Sequence, residues 1–189
     1  MRVITGSARG RRLKTPDGFD VRPTTDKVKE SIFSIIQFNI PGAAVLDLFS
    51  GSGQLGIEAL SRGAKSCTFV DKSPESVKIT LENITACGFL DISTVKRNDA
   101  ESFVKICSGR GERFDIAFLD PPYDSSLLGN ILPNLADIMN DGGIVILEHG
   151  NNFIPADSYA GKLFFDKSYS YGKINLTKLS VKDVKENAE

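Results

Sequence analysis

Apolar and polar positions along the chain follow two alternating patterns, one typical of strands and the other of helices. Short, largely apolar runs are typical of strands buried on both faces, and one-sided apolar stripes are typical of helices. The sequence predicts strands, in chain order, at 45–49, 66–70, 92–95, 114–119 and 144–147. It predicts helices at about 24–38, 55–62, 100–106 and 127–139, and one that begins at Pro74. This alternation predicts an α/β fold with a doubly wound, mostly parallel sheet.

The two ends of the chain depart from this alternation. Near the N-terminus, Arg2–Ile4 and Arg12–Lys14 flank a glycine-containing tip at 6–10, which predicts a small β-hairpin. Near the C-terminus, two strand-like ranges at 162–168 and 172–179 are joined by a short turn. They predict an antiparallel hairpin at the edge of the sheet. We therefore expect a sheet of seven strands.

Composition is typical of one α/β domain, because 41% of the 189 residues are hydrophobic and can form a core. No apolar run reaches the roughly 18 residues of a membrane span, and the N-terminus lacks the apolar stretch of a signal peptide. The three cysteines match no disulfide or metal pattern, so we expect a reduced, cytoplasmic protein. We also expect a monomer, because no long amphipathic helix is left over. We divide the chain into a basic N-terminal hairpin (1–20), a main domain (21–182) and a frayed tail (183–189).

Positive charge is concentrated at the N-terminus, although the net charge of the chain is only −1. Residues 1–16 contain five basic side chains and no acidic one. Such a cluster suits contact with phosphate groups, and we identify Arg9, Arg11 and Arg12 as candidate RNA-binding residues. The alternative interpretation is a solvated basic arm without a partner.

A glycine-rich turn follows the first predicted strand. Residues 51–56 fit the dinucleotide-binding pattern, with Asp71 about twenty residues after Gly51. Gly51 and Gly53 allow the backbone to turn tightly and approach a ligand. Asp47 favours another ligand, because its carboxylate would repel a pyrophosphate but attract the cationic groups of S-adenosyl-L-methionine (SAM). We predict SAM as the cofactor, with an NAD-dependent oxidoreductase as the competing interpretation.

Other candidate cofactor contacts follow the neighbouring strands. The carboxylate of Asp71 suits the two ribose hydroxyls, and Asp99 could accept a hydrogen bond from the adenine amino group. The backbone N–H of Ala100 could donate to the adenine ring, and Phe49 could flank the ligand. Asp47 itself could instead be a structural partner of the loop.

The fourth predicted strand ends in Asp120-Pro121-Pro122-Tyr123. The prolines stiffen the backbone and lack N–H donors, which leaves carbonyl groups directed outward. A carboxylate, a carbonyl and an aromatic ring together suit a planar base with an exocyclic amino group. We therefore predict a catalytic role for this tetrapeptide, although the same residues could form an ordinary turn at the end of a strand. It resembles the signature of SAM-dependent methyltransferases that act on amino groups of nucleic-acid bases.

Taken together, the motifs resemble one family. The most specific motif is the segment from Arg22 to Glu30, which begins Arg-Pro-Thr-Thr-Asp. The segment Arg9-Gly10-Arg11-Arg12-Leu13 comes before it, and the glycine-rich turn and the Asp-Pro-Pro-Tyr motif come after it. This order, over nearly the whole chain, resembles the RsmD-like bacterial methyltransferases.

The resemblance implies a Rossmann-like class I SAM-dependent methyltransferase fold. It also implies methylation of the N2 amino group of a guanine in small-subunit (16S) ribosomal RNA, either naked or in a partly assembled small subunit. Arg22, Thr24 and Thr25 would then lie near the cofactor or the target base, although they could simply form a turn and a helix cap.

Two further functions remain open. A DNA adenine-N6 methyltransferase would use the same tetrapeptide, but the chain has no evident separate domain for target recognition. A non-catalytic RNA-binding assembly factor would not need Asp120 to Tyr123. We expect no metal site, because His149 is the only histidine and has no partner ligands at a useful spacing.

Overall fold

The computed structural model describes residues 1–16, 26–121 and 126–182, and the chain divides after Asp99 into two units. In the first unit, Met1–Asp99, three parallel strands pair in the order β3-β2-β1. Its elements are α1 (Asp26–Ile35), β1 (Ala44–Leu48), α2 (Gln54–Ser61), β2 (Ser66–Asp71), α3 (Pro74–Cys87), a 3₁₀ turn (Leu90–Ile92) and β3 (Ser93–Arg97).

Helix α2 is buried along its whole length, and Gly56 determines how closely it packs against β2. A Cβ atom at Gly56 would lie 2.3 Å from the ring of Phe69 and 2.6 Å from Sγ of Cys67. Only glycine therefore permits this close packing of helix on strand. The third glycine of the turn motif thus has a packing role.

Helix α3 begins and ends with residues whose local chemistry favours those boundaries. The side chain of Ser73 accepts a hydrogen bond from the backbone N–H of Ser76, and Pro74 is the first helical residue, as predicted. Gly88, with φ +77°, ends the helix in the left-handed conformation that glycine adopts easily.

In the second unit, Ala100–Glu189, the described residues form five strands in the order β4-β5-β8-β7-β6. Its elements are α4 (Ala100–Arg110), β4 (Phe114–Leu119), α5 (Ser126–Leu135), a 3₁₀ turn (Ala136–Ile138), β5 (Met139–Gly150), β6 (Ser158–Tyr159), β7 (Leu163–Tyr171) and β8 (Ile174–Val181). Strand β5 pairs in parallel with β4, and β8 pairs antiparallel with both β5 and β7. The predicted antiparallel C-terminal hairpin is thus confirmed, and the two-residue β6 is a strand that the pattern did not predict.

The clearest difference from the predicted boundaries is at α5. The helix expected at 127–139 ends at Leu135 and is followed by the 3₁₀ turn, because β5 already begins at Met139, which pairs with Phe114 of β4. The expected N-terminal hairpin is present: Arg2 and Arg12 form an antiparallel bridge, and backbone hydrogen bonds join Val3 to Arg11 and Gly10, and Leu13 to Met1. The tip of the hairpin bonds to Glu58 and Ser61 of α2, which the local pattern did not predict. No helix in the described part of the chain is long and apolar enough to cross a membrane.

Candidate active site

A tight turn at residues 49–53, here called the glycine turn, connects β1 to α2. Phe49 has φ +94°, which is rare for a bulky residue, and Gly51 and Gly53 have φ +54° and +77°. The amides of Phe49 and Ser50 both donate to the carbonyl of Val70, at 3.0 and 2.9 Å. The carboxyl end of β2 therefore holds the turn in this strained shape.

Asp47 lies beneath the glycine turn and is only 3% exposed. Its Oδ2 atom accepts a hydrogen bond of 2.9 Å from the backbone N–H of Gly56, in the first turn of α2. The N-terminus of a helix carries partial positive charge and is a common phosphate site, but here a carboxylate already balances that charge. The geometry therefore opposes a pyrophosphate at this helix, and Asp47 shapes the turn as well as contributing negative charge.

Asp71, at the end of β2, is half-buried and held on both carboxylate oxygens. Oδ2 accepts from the N–H of Gly51 at 2.9 Å, and Oδ1 accepts from the N–H of Ser73 at 2.8 Å. Each oxygen keeps a second lone pair, so the carboxylate can also accept a pair of hydroxyl groups. Asp71 is thus pre-oriented beside the glycine turn.

The residues after β3 continue the same edge of the first unit. The amide of Asn98 donates to the carbonyl of Asp71 at 3.1 Å, and the Asn98 side chain accepts from the amide of Asp99 at 2.9 Å. The Asp99 side chain is exposed, and the next residue, Ala100, is buried at the start of α4. Since parallel strands end at a common edge, the structure brings Asp47, Asp71 and Asp99 to that edge.

The side chain of Ser50 also belongs to this site, although sequence reasoning did not identify it. Its Oγ atom is buried and has no hydrogen-bond partner among the described residues. A buried hydroxyl without a partner is costly unless a ligand or water supplies one. Together with the acceptor groups of Asp71 and Asp99, it fits a ligand that carries hydroxyl, amino and cationic groups, as SAM does.

In the second unit, Asp120 and Pro121 directly follow β4, and both are half-buried. Burial raises the pKa of Asp120 from 3.8 to about 6. The paired ends of β4 and β5, Leu119 and Leu147, place Glu148 one residue beyond the pair on the neighbouring strand. Asp120 therefore lies at the carboxyl edge of these parallel strands, where α/β sheets bind ligands.

His149, next to Glu148, is half-buried and has hydrogen-bond partners at both ring nitrogens. Its Nδ1 atom lies 2.9 Å from the carbonyl of Gly150 and its Nε2 atom 2.8 Å from Oγ1 of Thr177. Since a carbonyl oxygen can only accept, Nδ1 carries a proton, and the hydroxyl of Thr177 can donate to Nε2 in the neutral ring. Burial also lowers the pKa of His149, which favours this neutral form.

The side chains of Arg9, Arg11 and Arg12 are exposed on a firmly attached stretch, residues 1–16, here called the basic segment. Glu58 of α2 is fully buried and accepts from the amides of Ile4 and Thr5, at 2.7 and 2.9 Å. Within the segment, the side chains of Val3, Ala8 and Leu13 are buried. The segment thus presents its arginines from a fixed backbone.

Two cations balance the buried charge of Glu58. Nζ of Lys29 lies 3.4 Å away and Nε of Arg62 lies 2.9 Å away. Burial lowers the pKa of Lys29, and Glu58 opposes that shift. The sequence contained a signal for this cluster, since Glu58 is the one charged residue of an otherwise largely apolar helix.

Five candidate residues of the sequence analysis lie outside the described residues. They are Arg22, Thr24, Thr25, Pro122 and Tyr123.

Comparison with known proteins agrees with this geometry. A family model described as Conserved hypothetical protein 95 matches residues 1–179. The chain belongs to this family. The protein YlbH of Bacillus subtilis (strain 168) is 40% identical over 174 residues, which cover 91% of this chain and 94% of YlbH.

Other members of the family extend this comparison. Ribosomal RNA small subunit methyltransferase D of Escherichia coli (strain K12) is 36% identical over 137 residues, covering 72% of this chain and 67% of that protein. The solved structure of the E. coli protein yhhF is 29% identical, with a TM-score of 0.83, and covers 96% of this chain and 98% of that chain. The predicted RsmD-like relationship and the predicted class I methyltransferase fold are both confirmed.

Proposed function

We propose that this protein transfers a methyl group from SAM to the exocyclic N2 amino group of a guanine in small-subunit ribosomal RNA. The coarser activity, methylation of ribosomal RNA, rests on family membership and on relatives of the methyltransferase D type. The single observation that carries the cofactor assignment is the carboxylate of Asp47 at the N-terminus of α2, where a pyrophosphate would otherwise bind.

The cofactor would be held by the first unit. Asp71 would accept from the two ribose hydroxyls, and Asp99 and the amide of Ala100 would contact the adenine. Gly51 and Gly53 would let the backbone approach the ligand, and Phe49 would pack against it. When bound, SAM supplies a methyl group on a positively charged sulfur, which the negative charge of Asp47 favours.

Asp120 and the carbonyl of Pro121 would act on the target base. The lone pair of N2 is delocalised into the guanine ring, so the amino group must rotate or pyramidalise before it can attack. Two acceptors that take its two N–H hydrogens would impose that geometry, with the reacting atoms held roughly 3–3.5 Å apart. Methylation would form the N–C bond, break the S–C bond and leave S-adenosylhomocysteine, and the proton of N2 would pass to Asp120 or to water. The Asp120 carboxylate would stabilise the positive charge that develops on nitrogen.

The base must leave its stack to reach these groups, so single-stranded or splayed RNA is the expected form of the substrate. Pro122 would stiffen the loop, and Tyr123 would stack on the base, which is worth about 1–3 kcal/mol. The basic segment, with Arg22, Thr24 and Thr25, would contact the RNA. We assign residues 1–20 to the basic N-terminal hairpin, residues 21–182 to the catalytic domain and residues 183–189 to the tail. We expect the protein to be a monomer in the cytoplasm.

A transfer assay with methyl-labelled SAM tests the proposal. The wild-type protein is given naked 16S rRNA, partly assembled small subunits, and DNA, and the labelled product is digested and identified by mass spectrometry. We expect N2-methylguanosine, and we expect none with Asp120→Asn, which should still bind SAM in calorimetry. Label in N6-methyladenine of DNA, binding of NAD in place of SAM, or no transfer to any substrate would each contradict the proposal.

A further inference from the structure

The side chain of Asn83, on α3, joins two segments that are distant in sequence. It is only 2% exposed. Its Oδ1 atom accepts from the backbone N–H of Lys14 at 2.8 Å, and its Nδ2 atom donates to the carbonyl of Lys14 at 3.0 Å. The same Nδ2 atom donates to the carbonyl of Ser52 at 2.8 Å. One buried amide thus binds the end of the basic segment and the middle of the glycine turn.

Neighbouring contacts strengthen this arrangement. Oγ1 of Thr80, one turn earlier on α3, donates to the carbonyl of Gly51 at 2.9 Å, and Thr80 is fully buried. The hydroxyl of Ser52 donates to the sulfur of Met1 at 3.6 Å. Helix α3 therefore fixes the glycine turn, and Asn83 extends that hold to Lys14, two residues beyond Arg12.

We propose that Asn83 is a positioning residue that couples RNA binding on the basic segment to cofactor binding at the glycine turn. This inference rests on the proposed function, because it takes RNA and SAM as the ligands of these two segments.

The physical basis is shared ordering. Each ligand restricts the residual motion of the segment that it contacts, and both segments are bonded to one carboxamide. Ordering one segment therefore reduces the entropy that the second ligand must remove, which makes the two binding events mutually favourable. By linkage, RNA strengthens cofactor binding by the same factor as the cofactor strengthens RNA binding.

The coupling can be removed without detaching the basic segment. Glu58 binds the amides of Ile4 and Thr5, and Ser61 accepts from the amide of Ala8 at 3.0 Å, all independently of Asn83. Asn83→Leu keeps the branched shape of the side chain, although leucine is larger, and removes all three hydrogen bonds. The matched control is Glu82→Gln, which weakens the exposed ion pair between Glu82 and Lys14 Nζ but leaves the backbone of Lys14 bonded to Asn83.

Calorimetry with S-adenosylhomocysteine, which cannot support turnover, measures cofactor-site affinity with and without a short single-stranded RNA oligonucleotide. For the wild type and Glu82→Gln, we expect RNA to tighten binding at least about fivefold. For Asn83→Leu, the ratio of the two affinities should fall to about one, even if both affinities are lower. A residue with only a structural role would lower both affinities and leave their ratio unchanged.

Two results would overturn the coupling while leaving the proposed function intact: no effect of RNA on the wild type although both ligands bind, or an unchanged ratio in Asn83→Leu. If the wild type methylates no RNA and binds no S-adenosylhomocysteine, the proposed function fails and the coupling fails with it.

A second measurement needs no variant and decides the question if Asn83→Leu does not fold. In the wild type, hydrogen exchange should slow at residues 49–53 when RNA is added, and at the Lys14 amide when S-adenosylhomocysteine is added. Exchange that slows only in the segment touched by the added ligand would overturn the proposal.

Discussion

At the scale of single residues, Asp120 is in a setting that opposes its proposed role. Stabilising the positive charge that develops on N2 requires an ionised Asp120, yet burial raises the pKa of Asp120 to about 6 and disfavours the ionised form. The pKa of Asp120 is higher in the folded than in the unfolded protein, so the buried carboxylate lowers the free energy of unfolding. This loss of stability is absent below pH 3.8, grows between pH 3.8 and 6, and is complete above pH 6. The shift corresponds to at most about 3 kcal/mol at neutral pH.

We therefore expect Asp120→Asn to abolish methyl transfer and to stabilise the fold at neutral pH by up to about 3 kcal/mol. At about pH 3.5, where the wild-type carboxyl group is protonated in both states, the gain should vanish. The transfer rate of the wild type should fall about tenfold per pH unit below pH 6. Denaturant unfolding at the two pH values and a pH–rate profile measure these effects, with the exposed Asp157→Asn as control. An equal gain at both pH values would show that the burial of Asp120 is not its cause.

Phe49 has a backbone conformation that is unfavourable for a residue with a bulky side chain. It has φ +94°, and Ala160, in a turn of the second unit, has φ +51°. Strain of this kind, about 1–3 kcal/mol, persists where the surrounding structure imposes it, often at ligand sites.

We expect Phe49→Gly to relieve the strain but to weaken SAM binding about tenfold, through loss of about 1.4 kcal/mol of contact with the ring. Ala160→Gly should relieve similar strain without changing SAM affinity. Thermal unfolding and calorimetry of both variants measure the two effects. Unchanged SAM affinity in Phe49→Gly would remove Phe49 from the cofactor site.

At the scale of elements, the attachment of the basic segment to α2 depends on the absence of a side chain at Gly6. A Cβ atom there would lie 1.7 Å from the carbonyl oxygen of Ser61, whereas a Cβ atom at Gly10 would meet nothing within 4 Å. Both glycines have positive φ, +89° and +84°. A comparison of alanine substitutions at Gly6 and Gly10 therefore separates the effect of a steric clash from that of backbone strain.

We expect Gly6→Ala to destabilise the protein by about 1–3 kcal/mol more than Gly10→Ala, because the new methyl group displaces the segment from Ser61. RNA affinity should fall further in Gly6→Ala, because its arginines lose their fixed backbone. Chemical denaturation and filter binding of a labelled RNA oligonucleotide compare the two variants. Equal losses in both would show that only the backbone conformation matters.

The order of elements could be predicted because each strand is a short apolar run and each helix has one apolar face. The end of α5 could not be predicted, because the apolar residues after Pro133 suit a helix and a buried strand equally well. In the folded chain, the pairing of β5 with β4 selects the strand. The N-terminal hairpin was predicted from local pattern alone. Its contacts with Glu58 and Ser61, more than 50 residues away, could not be predicted, because they exist only in the folded chain.

The candidate site shows the same division between local and long-range information. The motifs identified Asp71 and the glycine turn, because short-range spacing determines them. Asn83 and Ser50 could not be identified, since they stand out only in the folded chain: Asn83 by a hydrogen bond across 31 residues, and Ser50 by a buried hydroxyl that lacks a partner among the described residues.

At the scale of the whole molecule, charge is strongly asymmetric. The basic segment has five positive side chains in a chain whose net charge is −1, so the remaining residues sum to −6. A polyanion is therefore attracted to the segment and meets a net negative charge over the other residues, which would orient RNA as it approaches. The effect depends on ionic strength, because binding to phosphates releases counterions.

Replacing Arg9, Arg11 and Arg12 together by alanine should therefore weaken RNA binding and reduce its dependence on salt. If each arginine contacts one phosphate of single-stranded RNA, the slope of log Kd against log salt concentration should fall by about 2. Affinities measured between low and moderate salt give the slope, and the exposed cations Lys105, Arg110 and Arg113 of the second unit, replaced together, serve as the matched control. A slope that falls equally in both triple variants would mean that the RNA responds to overall charge, and a slope that does not change in the first would remove the basic segment from the RNA-binding surface.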